Sequence, residues 1–340
     1  MGLRLLGYLI RLPKALSGGV LLAALALAVP AVAESGEKPA DHPAEWPAHP
    51  TDLELLLAYH DLEVLRAKGG LGGVMGVKKV TFLLADGREV SVKWKEAPAG
   101  DADGWNNSPR KEMAAYAIQR WFLDPEDYVV PTTVVRCLSF EQHEVINPGG
   151  ASATIPETEC VVGAISAWLN DVTVPDDLHE ADRFESDRVY ARHLANFNLL
   201  GYLIRHEDGR DGNILVAKND SERRVFAVDN GVAFGGLVKN YWVPNWHKIR
   251  VAALSKQSID RLRQIGDEQI QALAILSEHQ VGSDGVLRPV PPSENPNPAR
   301  GARSKPGWLQ LGLSQKEIDR VEQRLEALLE AVDSGAQPVF

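Results

Sequence analysis

His206-Glu207-Asp208-Gly209-Arg210-Asp211-Gly212-Asn213-Ile214-Leu215, followed by Val225-Phe226-Ala227-Val228-Asp229-Asn230-Gly231, is the stretch on which the fold turns. Singly, its Asp-Gly and Asn-Gly pairs read as turns. Together they give a polar loop, a short strand at Ile214–Val216, a turn at Asn219–Asp220, a strand at Val225–Val228 and then Asp-x-Gly. Phosphoryl transfer asks a protein for positioning and for charge neutralisation with a metal. It needs a carboxylate near an acceptor hydroxyl and metal-binding oxygens close by. Asp208 supplies the first, and Asn213 and Asp229 supply the second. A helix is expected just upstream, over 187–203, with Val189, Leu194, Phe197, Leu200 and Leu203 apolar.

Such chemistry also needs a cation for the phosphates and a carboxylate to hold that cation. Val80, Phe82 and Leu84 alternate, Asp86-Gly87 makes a turn, and Val90, Val92 and Trp94 alternate again, which predicts a hairpin. Lys93 and Lys95 share one face of its second strand, and either can be the phosphate lysine. Ser108 and Pro109 open a helix as N-cap and first residue, with Glu112 in its first turn. Glu112 is placed to hold the lysine or, alternatively, simply favours the helix N-terminus. Gly69–Gly76 reads as phosphate-covering backbone or as a helix stop.

These residues resemble the atypical kinases of the secretory pathway, the Golgi casein kinase and four-jointed type. More distantly they are similar to phosphoinositide kinases and aminoglycoside phosphotransferases. The matching pieces are Trp94-Lys95, Lys111-Glu112-Met113-Ala114-Ala115-Tyr116, Val130-Pro131-Thr132-Thr133-Val134, His206-x-Asp208-x4-Asn213-Ile214-Leu215 and Asp229-Asn230-Gly231-x2-Phe234-Gly235. The resemblance implies an α+β, two-lobed kinase-like fold, with an antiparallel sheet and helix in the N-lobe and a mainly helical C-lobe. It implies ATP with Mg²⁺ or Mn²⁺ as cofactors. Lys95, or alternatively Lys93, would bind the α/β-phosphates; Glu112 would pair with that lysine or touch metal. Asp208 would be the base, with Asp211 its rival, and Asn213 and Asp229 the metal ligands. Residues 167–170 would hold adenine through backbone groups, and His206 would buttress the loop.

The rest of the chain bounds this reading. A net charge of −10 over 340 residues argues against a nucleic-acid partner. Residues 1–33 carry Arg4, Arg11 and Lys14, an apolar run and a small-residue site ending at Ala33, the pattern of a secretory signal; an uncleaved anchor is the alternative. Cleavage would leave no membrane span and an exported protein, periplasmic or secreted. Cys137 and Cys160 can then form a disulfide, or remain two buried thiols.

The expected divisions are a Pro-rich linker over 34–50, an N-lobe over 51–170 and a C-lobe over 171–335. Thr51 and Glu54 read as a capping box for a helix running through Leu53, Leu56, Leu57 and Val64 to Gly69 and Gly70. Strands are expected near 132–138 and 161–169, an irregular acidic stretch over 171–188, and helices over 254–278 and 314–332. Residues 281–310, with six prolines, read as a long surface loop. The function expected is an exported ATP- and metal-dependent kinase with a protein, glycan or small-molecule hydroxyl as acceptor. The alternatives are an inactive nucleotide-binding scaffold or adenylyl transfer on the same fold.

Overall fold

The alternating runs around Asp86-Gly87 become the centre of an antiparallel sheet. A computed structural model describes residues 42–69, 77–104, 108–210, 212–235 and 246–340. The expected leader over 1–33, residues 70–76 of the glycine-rich stretch and Asp211 lie outside the described residues. In chain order come α1 (Pro50–Tyr59), β1 (Leu62–Gly69), β2 (Lys78–Leu84), β3 (Glu89–Glu96), α2 (Pro109–Gln119), β4 (Thr133–Ser139), α3 (Phe140–Ile146) and β5 (Cys160–Ala167). The five strands lie in the order β1-β2-β3-β5-β4. Val80 faces Val92 and Phe82 faces Val90 in the hairpin, as the alternation predicts. One sheet face, with Phe82, Val92, Trp94, Val134 and Ile165, packs against Leu53 and Leu57 of α1. Gly163 is required here: a Cβ on it would stand 2.5 Å from the Trp94 ring. The other face keeps Lys93 and Lys95 for the cleft.

Two N-lobe expectations are corrected. The first helix starts at Pro50, not Thr51, because proline's fixed φ suits the first helical position. Glu54 makes no capping box; it accepts from Tyr116 Oη at 3.1 Å and pairs with Arg120. The helix also stops at Tyr59, and Leu62–Gly69 is a strand paired with β2, with Val64 opposite Phe82. An open hairpin edge needing hydrogen bonds outweighs the helical spacing of Val64. The part of the expected linker that is described, from His42, is not a tether. Trp46 and Glu45 are buried, and Trp46 packs edge-on to Phe226 at 5.6 Å.

The C-lobe continues with β6 (Val172–Thr173), α4 (Ala181–Ser186), α5 (Arg188–Leu203), β7 (Ile214–Ala217) and β8 (Val225–Ala227). β6, β7 and β8 form a small antiparallel sheet. Asp187 caps α5, accepting from the N–H groups of Val189 and Tyr190. The stretch 171–188 is therefore less irregular than expected. α5 packs against α2 and, through Leu194, Leu200 and Leu203, into the C-lobe core.

Next come α6 (Lys256–Leu262), α7 (Asp267–Gln271), β9 (Ser277–Val281), β10 (Leu287–Val290), β11 (Ala302–Lys305), β12 (Trp308–Leu311) and α8 (Gln315–Asp333). Residues 281–310 are thus not a surface loop but most of a four-stranded sheet, ordered β10-β9-β12-β11. Its prolines sit at a strand edge and in connections, where a missing N–H is tolerated. Leu287, Leu309 and Leu311 pack against Val135, Cys137, Val162 and Met113, so this late segment belongs with the N-lobe sheet. Cys137 and Cys160 are disulfide-bonded, with Cα atoms 5.4 Å apart. Among the described residues no helix is long and apolar enough to cross a membrane.

Candidate active site

The site forms where β3, α2, the loop after α5 and the end of β8 meet. Period-2 alternation places Lys93 and Lys95 on the cleft face of β3. Lys95 is 3% exposed and Lys93 17%. Lys95 Nζ lies 3.3 Å from Glu112 Oε1 and directly on Asp229 Oδ1. Lys93 Nζ reaches the same two carboxylates at 4.0 and 3.9 Å. The depth and closer contacts of Lys95 separate the two candidates.

Glu112 comes from the first turn of α2. Ser108 is its N-cap residue and Pro109 its first, as expected, although the Ser108 hydroxyl donates to Asp103 rather than capping. Glu112 Oε1 takes Lys95, while Oε2 accepts the backbone N–H of Asn230 at 2.9 Å. One carboxylate thus holds the lysine and the turn after β8. That second bond had no signal in the sequence, because it depends on how the two lobes dock.

Asp229 has φ +75°, a left-handed conformation that a non-glycine residue rarely adopts. The turn is held by Glu112 on Asn230, by Ala233 N–H donating to Asn230 O at 3.0 Å, and by Phe234 N–H donating to Ile204 O at 2.7 Å. Burial alone would raise the Asp229 carboxyl; the Lys93 and Lys95 cations outweigh it and hold the group below the usual carboxylate range. The converse holds for Lys95: burial would lower it, but Glu112 and Asp229 keep its pKa raised. His206 is buried, which lowers its pKa, so the neutral ring donates from Nε2 toward the Asp229 carbonyl at 3.4 Å. It touches the backbone behind the carboxylate.

The five-residue spacing of Asp208 and Asn213 brings their side chains into contact. Asn213 Nδ2 donates to Asp208 O and Oδ2, both at 3.0 Å. Arg210 Nε approaches Asp208 Oδ2 at 3.3 Å, a contact sequence reading did not single out. Val228 N–H donates to Asn213 O at 2.9 Å, which fastens this loop to β8. Over 167–170, Ala167, Trp168 and Asn170 spend their N–H groups on Thr132 O, Ser91 O and Glu45 O. Any adenine recognition through this segment's N–H groups would therefore fall to Leu169.

The donor set suits a hard divalent cation. Asp229 keeps its carboxylate 26% exposed, and the Asn213 amide, with its nitrogen on Asp208, has its oxygen as the remaining donor. Among the described residues no cluster of three His, Cys, Asp or Glu could hold a metal alone. One carboxylate and one amide oxygen fit Mg²⁺ or Mn²⁺ that shares phosphate oxygens with a nucleotide.

No family model and no curated protein matches the chain. Solved structures do. A structure of hydra Fam20 with sugar matches at 15% identity and TM-score 0.50, over 86% of this chain and 92% of that one. Two structures of the Golgi casein kinase, one with Mn/ADP bound, are 14% and 15% identical with TM-scores of 0.48, over 83% of this chain and 73–74% of theirs. At such identity the likeness is one of fold. The architecture of this chain is therefore the two-lobed, kinase-like fold of the Fam20 type.

Proposed function

We propose that this chain is an ATP- and metal-dependent phosphotransferase acting on a hydroxyl acceptor. The observation that carries the proposal is Lys95 lying between Glu112 and Asp229, with the Asp208–Asn213 pair fastened to the same β8 segment. Lys95 would exchange its contact with Asp229 for the α/β-phosphates, with Lys93 as a second cation at the cleft mouth. That exchange leaves Asp229 and Asn213 to hold Mg²⁺ or Mn²⁺, which when bound neutralises charge on the phosphates. Asp208, oriented by Asn213 and Arg210, would accept the acceptor hydroxyl's proton. The hydroxyl oxygen then forms its bond to the γ-phosphorus as the bond to the β-bridging oxygen breaks, releasing ADP. Glu112 positions rather than reacts.

Export belongs to the same reading: the 1–33 pattern and the Cys137–Cys160 disulfide both suit an oxidising compartment. The test is a thermal shift of the purified chain with ATP plus Mg²⁺ or Mn²⁺, against each alone. A metal-dependent rise in Tm, lost in Asp229→Ala, supports the nucleotide site. No rise with any nucleotide, in folded protein, would leave the inactive-scaffold reading.

A further inference from the structure

Three arginines converge beside the segment that follows Asp229. Arg205 comes two residues after α5 and has φ +49°, the left-handed conformation that often ends a helix. Arg320 and Arg324 stand four residues apart on α8 and so share a face of that helix. A Cβ on Gly235 would lie 3.4 Å from Arg205 Nη1 and 3.3 Å from Arg320 Nη1. Both nitrogens therefore face the same side of Gly235, where no side chain intervenes. Gly235 has φ +77°, a conformation that suits glycine, so that gap stays open.

Charge is not balanced there. Among the described residues Glu207 is the one carboxylate that pairs with any of the three. Its Oε1 takes Arg205 Nε at 3.0 Å and Arg205 Nη2 at 2.9 Å, which leaves Arg205 Nη1 over. Arg324 donates from Nε to Leu203 O at 2.7 Å. Among the described residues Arg320 makes no hydrogen bond and no ion pair. Burial, with Arg205 and Arg320 as like-charged neighbours, pushes the Arg324 pKa down to about 10. Like charges four residues apart on a helix repel, and nothing of opposite sign offsets this pair.

The free nitrogens can be reached from outside. The Arg205 side chain is 33% exposed, and Arg320 and Arg324 are half-buried. Arg324 Nη2 is sealed off and adds charge rather than a contact. Arg205 Nη1, Arg324 Nη1 and the three Arg320 nitrogens are unpartnered and not sealed. Three partly desolvated guanidinia with open N–H groups meet in this way on a chain of net charge −10.

We infer that Arg205, Arg320 and Arg324 form a binding site for a phosphate group, whose oxygens bridge Arg205 Nη1 and Arg320 Nη1 beside Gly235. A tetrahedral group offers acceptors in several directions, so it can bridge guanidinia that arrive from different elements. A carboxylate is planar and suits a single fork, and Glu207 already fills the fork of Arg205. A phosphate held here would join the end of α5, α8 and the segment 231–235, whose Phe234 N–H already donates to Ile204 O. The site shares no residue with the Lys95–Glu112–Asp229 cluster, and its occupancy does not depend on the function proposed above.

The test is calorimetric titration of the whole chain with inorganic phosphate and with glycerol phosphate, at fixed ionic strength set with chloride. Saturable binding of either is expected, and the tighter of the two tells free phosphate from a phosphate monoester as the source. Arg320→Gln removes a side chain that makes no bond within the fold, so the variant should fold as the parent does. It should weaken binding at least about tenfold, the size of one lost charge-assisted bond. Arg320→Glu should abolish binding, while Lys93→Met, in the other site, should leave it unchanged. No saturable heat at millimolar phosphate, or affinity unchanged in Arg320→Gln, would overturn the inference. Loss of binding in Lys93→Met would overturn it equally, by assigning the phosphate to the other site.

Discussion

Glu112, on the first turn of α2, accepts the backbone N–H of Asn230 at 2.9 Å with the same carboxylate that holds Lys95. An N-lobe helix is thereby fastened to the turn that presents Asp229. Any displacement of α2 reaches both Lys95 and the Asp229 turn together.

Glu112→Ala should therefore lower turnover more than either of its contacts would suggest. We expect a loss on the order of 10²-fold in kcat, the cost of misplacing reacting groups by about 1 Å. Glu112→Gln, which retains an acceptor for Asn230 N–H, should recover part of it. Steady-state kinetics with ATP and an acceptor make the comparison, and equal losses in the two variants would show that charge alone matters.

Asp208 and Asp229 should separate cleanly. Asp208→Ala should keep metal-dependent nucleotide binding and lose roughly 10²–10⁴-fold in turnover, as expected for a general base. Asp229→Ala should lose the binding itself. Thermal shift and single-turnover assays on both variants check this, and loss of metal-dependent binding in Asp208→Ala would merge the two roles.

Lys95→Met should destabilise the fold, because it leaves the Glu112 and Asp229 carboxylates facing each other without their buried cation. Breaking such a buried pair costs about 3–5 kcal/mol. Lys93→Met, at longer range and nearer solvent, should cost less than about 1 kcal/mol. Urea unfolding of the two variants measures the difference.

Stability should fall on the acid side earlier than carboxylate titration alone dictates. Burial lowers His279 to about 4 and His193 to about 3. A depressed folded pKa means the unfolded chain takes up protons first, so stability is full above about 6.5, the unfolded value, and is lost progressively as pH falls toward the folded values. Asp229, also depressed, adds its loss only below about 4, the unfolded value of a carboxyl. Lys95, raised, contributes fully below about 10.4 and loses its contribution above that. Denaturant midpoints between pH 7 and pH 4.5 should drop, and His279→Gln should flatten part of the slope.

Reduction should weaken the junction between the N-lobe sheet and β9–β12. The Cys137–Cys160 bond closes a separation of 23 residues, worth about 3 kcal/mol by loop entropy. Cys160 Sγ also accepts Leu287 N–H at 3.3 Å, so the bridge touches β10. Non-reducing mass spectrometry of the protein should show the linked peptides, and Cys137→Ser with Cys160→Ser should lower Tm.

Local pattern by itself determined the β2–β3 hairpin, the start of α2, the helix over 188–203 and the loop-strand-turn-strand order ending at Asp229. Each rests on interactions within a few residues: alternation, a Pro at the first helical turn, and turn-forming Asp-Gly and Asn-Gly. The same local patterns singled out Lys95 or Lys93, Glu112, Asp208, Asn213 and Asp229 as candidates, and folding brings Lys95, Lys93, Glu112 and Asp229 into contact. Tertiary structure alone decided what long-range partners decide. Leu62–Gly69 is a strand because β2 offered it an edge, and 42–50 is ordered because Trp46 finds Phe226. The proline-rich stretch 281–310 became a sheet because Leu287, Leu309 and Leu311 bury against Val135 and Val162. The clamp from Glu112 to Asn230 joins residues that only folding brings together, and no spacing along the chain encodes such a meeting.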